Sequence, residues 1–232
     1  MKNYHTVGVI AAMPEEIDAV KQKLTDVTTM QISGITFYQG KYEGVSVVAA
    51  KCGVGKVFAA ICAQTMIVKF APDLILHIGV AGALSDSLHI GDIAIASSVV
   101  QHDMDTSALG DPVGMISGIS LVHIPCTQSV VGALQSCAEK LKIHCEVGTI
   151  ASGDCFMSDR ERKKNIADTF GAIACEMEGA STGQVCFVNG VDFCVIRAIS
   201  DSGDENASTD FAASLARASQ AAIRLLDAFL TA

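Results

Sequence analysis

Short apolar runs alternate with segments of helical character along this chain, and this alternation is the feature that most constrains its fold. The runs that predict buried strands lie at residues 7–12, 73–79, 90–100, 147–152, 172–176 and 193–200. Apolar residues at helical spacing predict helices at 14–24, after residue 56, at 131–141, 158–165, 178–188 and 211–229. Because strands and helices alternate, we expect a single-domain α/β protein with a central sheet over residues 1–232.

Turn signals divide these segments. Residues 35–38 and 45–50 are β-rich and flank a glycine-containing stretch, so they predict a hairpin. Residues 52–56 form a glycine turn before a helix, and residues 79–82 predict a glycine turn at the end of a strand. Ser158 is a suitable N-cap for a charged helix, and residues 107–120 are expected to form a loop.

Composition excludes several classes of partner. The formal net charge of -9 disfavours nucleic acid, because an acidic surface repels phosphate backbones. No apolar run approaches the ~20 residues that cross a membrane, and the N-terminal run is interpreted as a strand and not a signal peptide. The nine cysteines include no C-x-x-C pair, which predicts reduced thiols. We therefore expect a cytoplasmic protein without a membrane or nucleic-acid partner.

Charged residues follow several of the predicted strands. In α/β folds, ligands bind at the carboxyl ends of the strands, which directs attention to Glu16, Glu178 and Asp201. Each has an ordinary structural explanation: the glutamates favour a helix N-terminus, and the aspartate suits a turn or an N-cap. Arg197 is harder to explain in this way, since it interrupts an apolar strand and needs a buried partner, for which Glu176 and Glu178 are candidates.

The combination of these groups predicts a polar centre in an apolar cleft. Paired carboxyl groups suit a reaction through an oxocarbenium-like transition state, in which one acid protonates the leaving group and one base activates water.

Seven stretches in one order then resemble a known family: residues 9–16, 53–57, 91–93, 102–105, 152–154, 176–178 and 197–201. The chain resembles the 5′-methylthioadenosine/S-adenosylhomocysteine nucleosidases, within the purine nucleoside phosphorylase superfamily. The resemblance implies a three-layer α/β/α fold with a central mixed, twisted sheet. It also implies hydrolysis of the N-glycosidic bond of both thio-nucleosides, with no cofactor and no metal.

The resemblance implies catalytic roles residue by residue. Asp201 would protonate N7 of the adenine leaving group, and Glu16 would activate water. Glu178 would hold the ribose hydroxyls, and Arg197 would help to place the water and fix Glu178. The implied substrate-binding residues are Met13, Val54, Val80, Phe156, Met157, Glu176, Met177, Ser200, Phe211 and, lent to the pocket of a partner subunit, Leu109. A homodimer is expected on the same ground.

Val80 departs from the family pattern, which has serine at this position. In the related phosphorylases the hydroxyl binds phosphate, and in the nucleosidases it lies near the water. Valine can do neither, and Glu15 and Glu16 would repel a phosphate dianion, so we favour hydrolysis over phosphorolysis.

Other functions stay open at this point. They are hydrolysis of another purine nucleoside such as futalosine or 5′-deoxyadenosine, phosphorolysis, binding of nucleosides without turnover, and an unrelated α/β function. A metal site at His102 is not expected, because no second histidine pair supports it. Residues 160–164 are interpreted as a solvated helix face.

Overall fold

A computed structural model of the protein describes residues 4–232. Residues 1–3, which precede the N-terminal run that was interpreted as a strand and not a signal peptide, lie outside the described residues. The strands are β1 (Thr6–Ala11), β2 (Thr25–Ile32), β3 (Ile35–Tyr42), β4 (Val45–Lys51), β5 (Leu74–Ala83), β6 (Ile93–Gln101), β7 (Ile124–Pro125), β8 (Cys145–Ser152), β9 (Ala172–Glu176) and β10 (Asp192–Asp201). The helices are α1 (Pro14–Lys23), α2 (Lys56–Phe70), α3 (Gln128–Leu141), α4 (Arg160–Phe170), α5 (Gly179–Asn189) and α6 (Ala207–Leu230).

The strands form one mixed sheet in the order β10-β6-β8-β9-β5-β1-β4-β3-β2, with the short β7 beside β6. Strand β10 also pairs with β5, in parallel, so that the five strands β5, β10, β6, β8 and β9 close on themselves. The remaining strands extend from β5 as an open arm through β1 and β4 to the hairpin of β3 and β2. The mixed sheet confirms the fold class, whereas its partial closure was not predicted.

Helices cover both faces of the sheet. Helices α1 and α3 pack against α6, and α2 packs against α5. Both α5 and α6 contact β10 and β5, so each group of helices covers one face of the central strands. Among the residues that the structure describes, no helix has the length and apolar character needed to cross a membrane.

Strand β2 was not predicted, because its side chains do not alternate between buried and exposed. Its residues are exposed from Thr25 to Gln31. The strand is held instead by its antiparallel pairing with β3. Alternation of apolar and polar residues in the sequence does not reveal such backbone pairing.

Two local predictions were wrong. The residues 79–82 do not form a turn: β5 runs through them to Ala83 and is buried along its whole length. The N-cap of α4 is Asp159 and not Ser158, because the Asp159 carboxylate accepts a hydrogen bond of 2.8 Å from the backbone N–H of Arg162.

Candidate active site

The topology brings the charged strand ends to one place. Strands β1, β5 and β10 are parallel neighbours, so Glu16, which follows β1, and Asp201, which ends β10, lie at the same edge. Strand β9 meets the far end of β5 in antiparallel register, Gly82 opposite Cys175, and carries Glu176 and Glu178 to that edge.

These elements surround a cavity of about 150 Å³, or about 660 Å³ of empty space when its open mouth is included. The cavity is lined by Ala12, Met13, Glu16, Val54, Val80, Ala81, Gly82, Cys155, Phe156, Met157, Cys175, Glu176, Met177, Glu178, Ser200, Asp201 and Phe211. It therefore includes every predicted site residue except Arg197 and Leu109.

Glu16 is buried and held by three backbone donors. Its Oε2 accepts hydrogen bonds from the N–H groups of Ala12 (3.0 Å) and Met13 (2.8 Å), and its Oε1 accepts one from Val80 (3.1 Å). Burial raises the pKa of Glu16, while Arg197 and these backbone bonds act in the opposite direction. Val80, at the position where the resemblance predicts serine, thus supports Glu16 through its backbone N–H. A valine can supply this donor as well as a serine can.

Arg197 lies beneath the cavity and pairs mainly with Glu176. Its Nη2 and Nε donate to Glu176 Oε2, the latter at 3.1 Å, whereas Glu178 Oε2 lies 4.0 Å from Nη2. Its Nη1 also donates to the carbonyl oxygen of His77 at 3.1 Å. Both expected buried partners are present: Arg197 hydrogen-bonds Glu176 and lies at ion-pair distance from Glu178.

Glu176 is surrounded by donors. Its carboxylate also accepts hydrogen bonds from the Ser152 hydroxyl and from the N–H groups of Glu178 (3.0 Å) and Gly179 (2.8 Å), at the N-terminus of α5. These hydrogen bonds join β8, the N-terminus of α5 and Arg197 through one carboxyl group. Glu176 consequently acts as an anchor for the site, although it also lines the cavity.

Glu178 has fewer partners. Its Oε1 accepts one hydrogen bond of 2.8 Å from the N–H of Gly55, in the loop before α2. Burial, together with the negative charge of Glu176, raises the pKa of Glu178 to about 8. Its Oε2 lies 4.0 Å from Arg197 and accepts no hydrogen bond from the described residues, so a ligand hydroxyl can bind there.

Asp201 occupies the other side of the cavity. Its Oδ2 accepts a hydrogen bond from the Ser200 hydroxyl (2.8 Å), and its Oδ1 accepts one from the N–H of Gly203 (2.9 Å). Burial raises the pKa of Asp201, and these two bonds lower it. A carboxyl group whose pKa is raised holds a proton for donation to a higher pH than an exposed aspartate does.

The glycines of β5 make room for these two acids. A Cβ atom at Gly79 would lie 2.8 Å from Glu16 Oε1, and one at Gly82 would lie 2.8 Å from Asp201 Oδ1. Neither glycine is needed for a turn, since both are within the strand. The glycine pattern that appeared to end the strand instead allows carboxyl groups to approach its backbone.

The rest of the cavity wall is mainly apolar. Phe156 and Phe211 meet edge to face, with ring centroids 5.7 Å apart. Met13 and the half-exposed Val54 lie on the open side, whereas Met157 is buried. Such a wall suits an aromatic base and a thioether.

Several lining residues were not found from the sequence. Cys155 and Cys175 are small side chains in otherwise apolar stretches, and Ala12 and Ala81 carry no chemical signal. The donor at Gly55 is a backbone group, which side-chain patterns do not reveal. Leu109 lies outside the cavity and is 84% exposed.

The histidine segment shows no metal-binding geometry. His102 packs against Gly153, and its Nε2 has no hydrogen-bond partner within the described part of the chain. Residues 4–232 contain no cluster of three or more His, Cys, Asp or Glu side chains able to hold a metal ion.

The chain is a mixed α/β protein with carboxyl groups at the ends of β1, β9 and β10. Comparison with known protein families identifies its class. The model of the phosphorylase superfamily matches residues 6–231. The chain belongs to that superfamily.

Relatives within the superfamily confirm the resemblance that the motifs predicted. The chain is 38% identical to the 5′-methylthioadenosine/S-adenosylhomocysteine nucleosidase of Shewanella loihica, over 91% of this chain and 93% of that protein. The crystal structure of the Neisseria meningitidis nucleosidase in complex with methylthio-immucillin-A has a TM-score of 0.94 at 31% identity, covering 97% of this chain and 98% of that one. The native structure of a Helicobacter pylori futalosine hydrolase also has a TM-score of 0.94, at 35% identity, covering 98% and 97%.

Proposed function

We propose that this protein is an N-glycosidase that hydrolyses 5′-methylthioadenosine and S-adenosylhomocysteine to adenine and the corresponding thioribose. In this mechanism Asp201 donates a proton to N7 of adenine, and Glu16 activates the attacking water. Glu178 binds the ribose hydroxyls, and Met177 packs beneath the sugar. Phe156 stacks on the base, and the backbone of Met157 binds its N1 and N6 edge.

The placement of the Glu16 and Asp201 carboxyl groups against β5, in one cavity, carries this proposal. The two carboxyl groups approach the strand at Gly79 and Gly82, three residues apart, which corresponds to roughly 10 Å along the strand. Both carboxyl groups also line the same cavity, so an acid and a base can act on one ligand from different points along the strand. Glu178 lines the same cavity, and its Oε2, which accepts no hydrogen bond from the described residues, can bind a sugar hydroxyl.

Hydrolysis is preferred to phosphorolysis because the site is acidic. The described residues that line the cavity include Glu16, Glu176, Glu178 and Asp201 but no lysine or arginine. Arg197 is buried beneath them and already paired with Glu176. A phosphate dianion would therefore find no unpaired cation in the cavity wall.

The test is a chromatographic assay of purified protein with 5′-methylthioadenosine, without phosphate and then with phosphate added. We expect adenine and free methylthioribose at equal rates in both. Adenine that appears only with phosphate, together with a sugar 1-phosphate, would identify a phosphorylase. No adenine in either buffer would refute turnover of this substrate and favour a nucleoside binder.

Futalosine is a second candidate substrate, because a futalosine hydrolase matches this fold as well as a nucleosidase does. The cavity is open on the side of Met13 and Val54, where a larger 5′-substituent would leave the protein. The same assay with equal concentrations of 5′-methylthioadenosine, S-adenosylhomocysteine, 5′-deoxyadenosine and futalosine distinguishes the candidates through kcat/KM.

The role of Asp201 is tested by Asp201→Asn, which keeps the shape of the side chain but removes the transferable proton. We expect kcat to fall by about 10²- to 10⁴-fold, while binding of an unreactive nucleoside analogue is largely retained. Asp168→Asn is the matched control, since Asp168 pairs with Lys164 on the exposed face of α4. An Asp201→Asn enzyme with the wild-type kcat would disprove proton donation by this residue.

A homodimer is part of the proposal, supported by an exposed apolar surface. Helices α2 and α5 are neighbours and expose Val57, Phe58, Val68, Phe187 and Val188, and Leu109 is also exposed. In the dimer, Leu109 would complete the pocket of the partner subunit. Light scattering should show a dimer in the wild-type protein and a shift toward monomer in Leu109→Asp.

Two further proposals concern organisation and location. One domain over residues 1–232 is supported by a sheet that joins strands from both ends of the chain. A cytoplasmic location is supported by the nine free cysteines in the described part of the chain, most of them buried.

A further inference from the structure

Strand β10 contains an irregularity immediately before Asp201. In its parallel pairing with β5, Ile199 is opposite Ala81 and Asp201 is opposite Gly82, so Ser200 is an extra residue on β10. A bulge of this kind changes the direction in which the following side chain points. Without it, Asp201 would have a different orientation relative to Gly82, which its Oδ1 now approaches closely.

Ser200, the extra residue of the bulge, makes hydrogen bonds through both its side chain and its backbone carbonyl. The Ser200 hydroxyl lies 2.8 Å from Asp201 Oδ2 and 3.3 Å from the carbonyl oxygen of Ala81, and Asp201 is the nearer acceptor. The carbonyl oxygen of Ser200 accepts a hydrogen bond from the Ser214 hydroxyl. Both serines are buried, so water does not replace this bond.

Ser214 belongs to α6, one turn after Phe211. The same helix thus supplies an apolar wall of the cavity and a tether to the residue that precedes Asp201. Since α6 packs along β10 and β5, a displacement of the helix would be transmitted to the bulge through this hydroxyl.

We propose that Ser214 is a positioning residue that fixes the Ser200 bulge and so sets the direction and hydrogen bonding of the Asp201 carboxyl group. This inference rests on the proposed function, in which Asp201 is the proton donor.

Ser219 provides a matched comparison on the same helix. It is 1% exposed, against 6% for Ser214, but its hydroxyl has no hydrogen-bond partner among residues 4–232. Ser219→Ala therefore removes a buried hydroxyl from α6 without removing a bond to the site.

The experiment compares wild type, Ser214→Ala, Ser214→Cys and Ser219→Ala with 5′-methylthioadenosine. Ser214→Ala leaves a buried carbonyl without its donor, and we expect kcat to fall roughly tenfold with little change in KM. Ser214→Cys keeps a side chain of similar size with a weaker donor, so its kcat should lie between those of wild type and Ser214→Ala. Ser219→Ala should retain the wild-type kcat.

The pH profile separates positioning from general stability. Activity falls above the pKa of the acid that must be protonated, and the Ser200 hydroxyl lowers the pKa of Asp201. If loss of the Ser214 bond frees the Ser200 hydroxyl from Asp201, the basic limb of kcat/KM should move to higher pH in Ser214→Ala. A change in folding stability alone would not move this limb.

Two results would overturn the proposal. One is equal loss of kcat in Ser214→Ala and Ser219→Ala, and the other is an unchanged basic limb in Ser214→Ala. If Ser214→Ala does not fold, Ser214→Cys decides in the same way: a wild-type kcat and pH limb would refute the role. A wild-type enzyme without activity on any of the four nucleosides would instead refute the proposed function.

Discussion

Glu16 shows how a structural and a catalytic role coexist in one residue. Two of its hydrogen bonds come from Ala12 and Met13, which precede α1, and they are those expected of a carboxylate at a helix N-terminus. The third comes from Val80 in β5, which a helix cap does not require. The carboxylate therefore joins two elements and lines the cavity between them.

Gly82 gives a prediction at this scale. In Gly82→Ala the added methyl group would meet Asp201 Oδ1 at 2.8 Å, and the Gly203 Cα at 3.4 Å limits how far the loop can yield. Displacement of a proton donor by about 1 Å can cost a hundredfold in rate, so we expect kcat to fall by up to that factor. The measurement is steady-state kinetics on protein whose fold is checked by circular dichroism.

The control for this substitution is Gly132→Ala, in α3. No heavy atom lies within 4 Å of the added methyl group, so the rate should be unchanged. The free energy of unfolding should rise by about 0.5–1 kcal/mol, because alanine is the better helix former. A Gly82→Ala enzyme as active as this control would show that the approach of Asp201 to β5 is not needed.

At the scale of elements, the loop before α2 depends on two other loops, one that follows β6 and one that follows β8. The Lys56 N–H donates to Asp154 Oδ1 and the Lys56 ammonium group to Asp103 Oδ1, at 2.8 and 2.6 Å. Asp103 Oδ2 in turn accepts a hydrogen bond from the Asp154 N–H at 3.0 Å. This network holds Gly55, whose N–H donates to Glu178.

Asp103→Ala should therefore weaken substrate binding more than chemistry. The pair is partly exposed and worth about 1 kcal/mol, so KM should rise roughly fivefold while kcat changes little. Asp105→Ala is the control, because Asp105 is exposed on the same segment and its carboxylate accepts a hydrogen bond from Ser107. Equal KM values for the two variants would mean that the network does not support Glu178.

The sequence predicted the strands and helices whose side chains are buried in a regular pattern. It did not predict features that depend on backbone pairing between distant strands. Strand β9 was predicted at its observed bounds, since all five of its residues are buried. Strand β2 and the closure of β10 onto β5 result from backbone hydrogen bonds between distant segments, which periodicity does not encode. The bulge at Ser200 was missed for the same reason, although Ser200 and Asp201 were both named as site residues.

For the whole molecule, the site concentrates acidic groups in the interior. Glu16, Glu176 and Glu178 are buried around one buried arginine, and Asp201 lies across the cavity. Burial raises the pKa values of Glu16, Glu178 and Asp201, so the folded protein holds protons that the unfolded chain releases. The free energy of unfolding must then depend on pH through these groups.

The direction of this dependence follows from the raised pKa of Glu178. Below the ordinary value of 4.5 the carboxyl group is protonated in both states, and between 4.5 and about 8 it is protonated mainly in the folded state. Its contribution to stability is thus lost as pH rises through that range. His77 and His102 act in the opposite direction at lower pH, because burial lowers their pKa values below 6.5. We therefore expect the Glu178 effect to be clearest between pH 6.5 and 8.

Urea unfolding of wild type and Glu178→Gln across this range tests the expectation. The wild-type free energy of unfolding should fall as pH rises from 6.5 to 8, and the slope should be shallower in Glu178→Gln, whose side chain does not ionise. Glu161→Gln, at an exposed position of α4, should keep the wild-type slope. The same slope in all three proteins would show that Glu178 is already ionised at pH 6.5 in the folded protein. Glu178 would then meet the ribose hydroxyls as a carboxylate throughout the physiological range, and the pH dependence of substrate binding would have to come from Glu16 or Asp201.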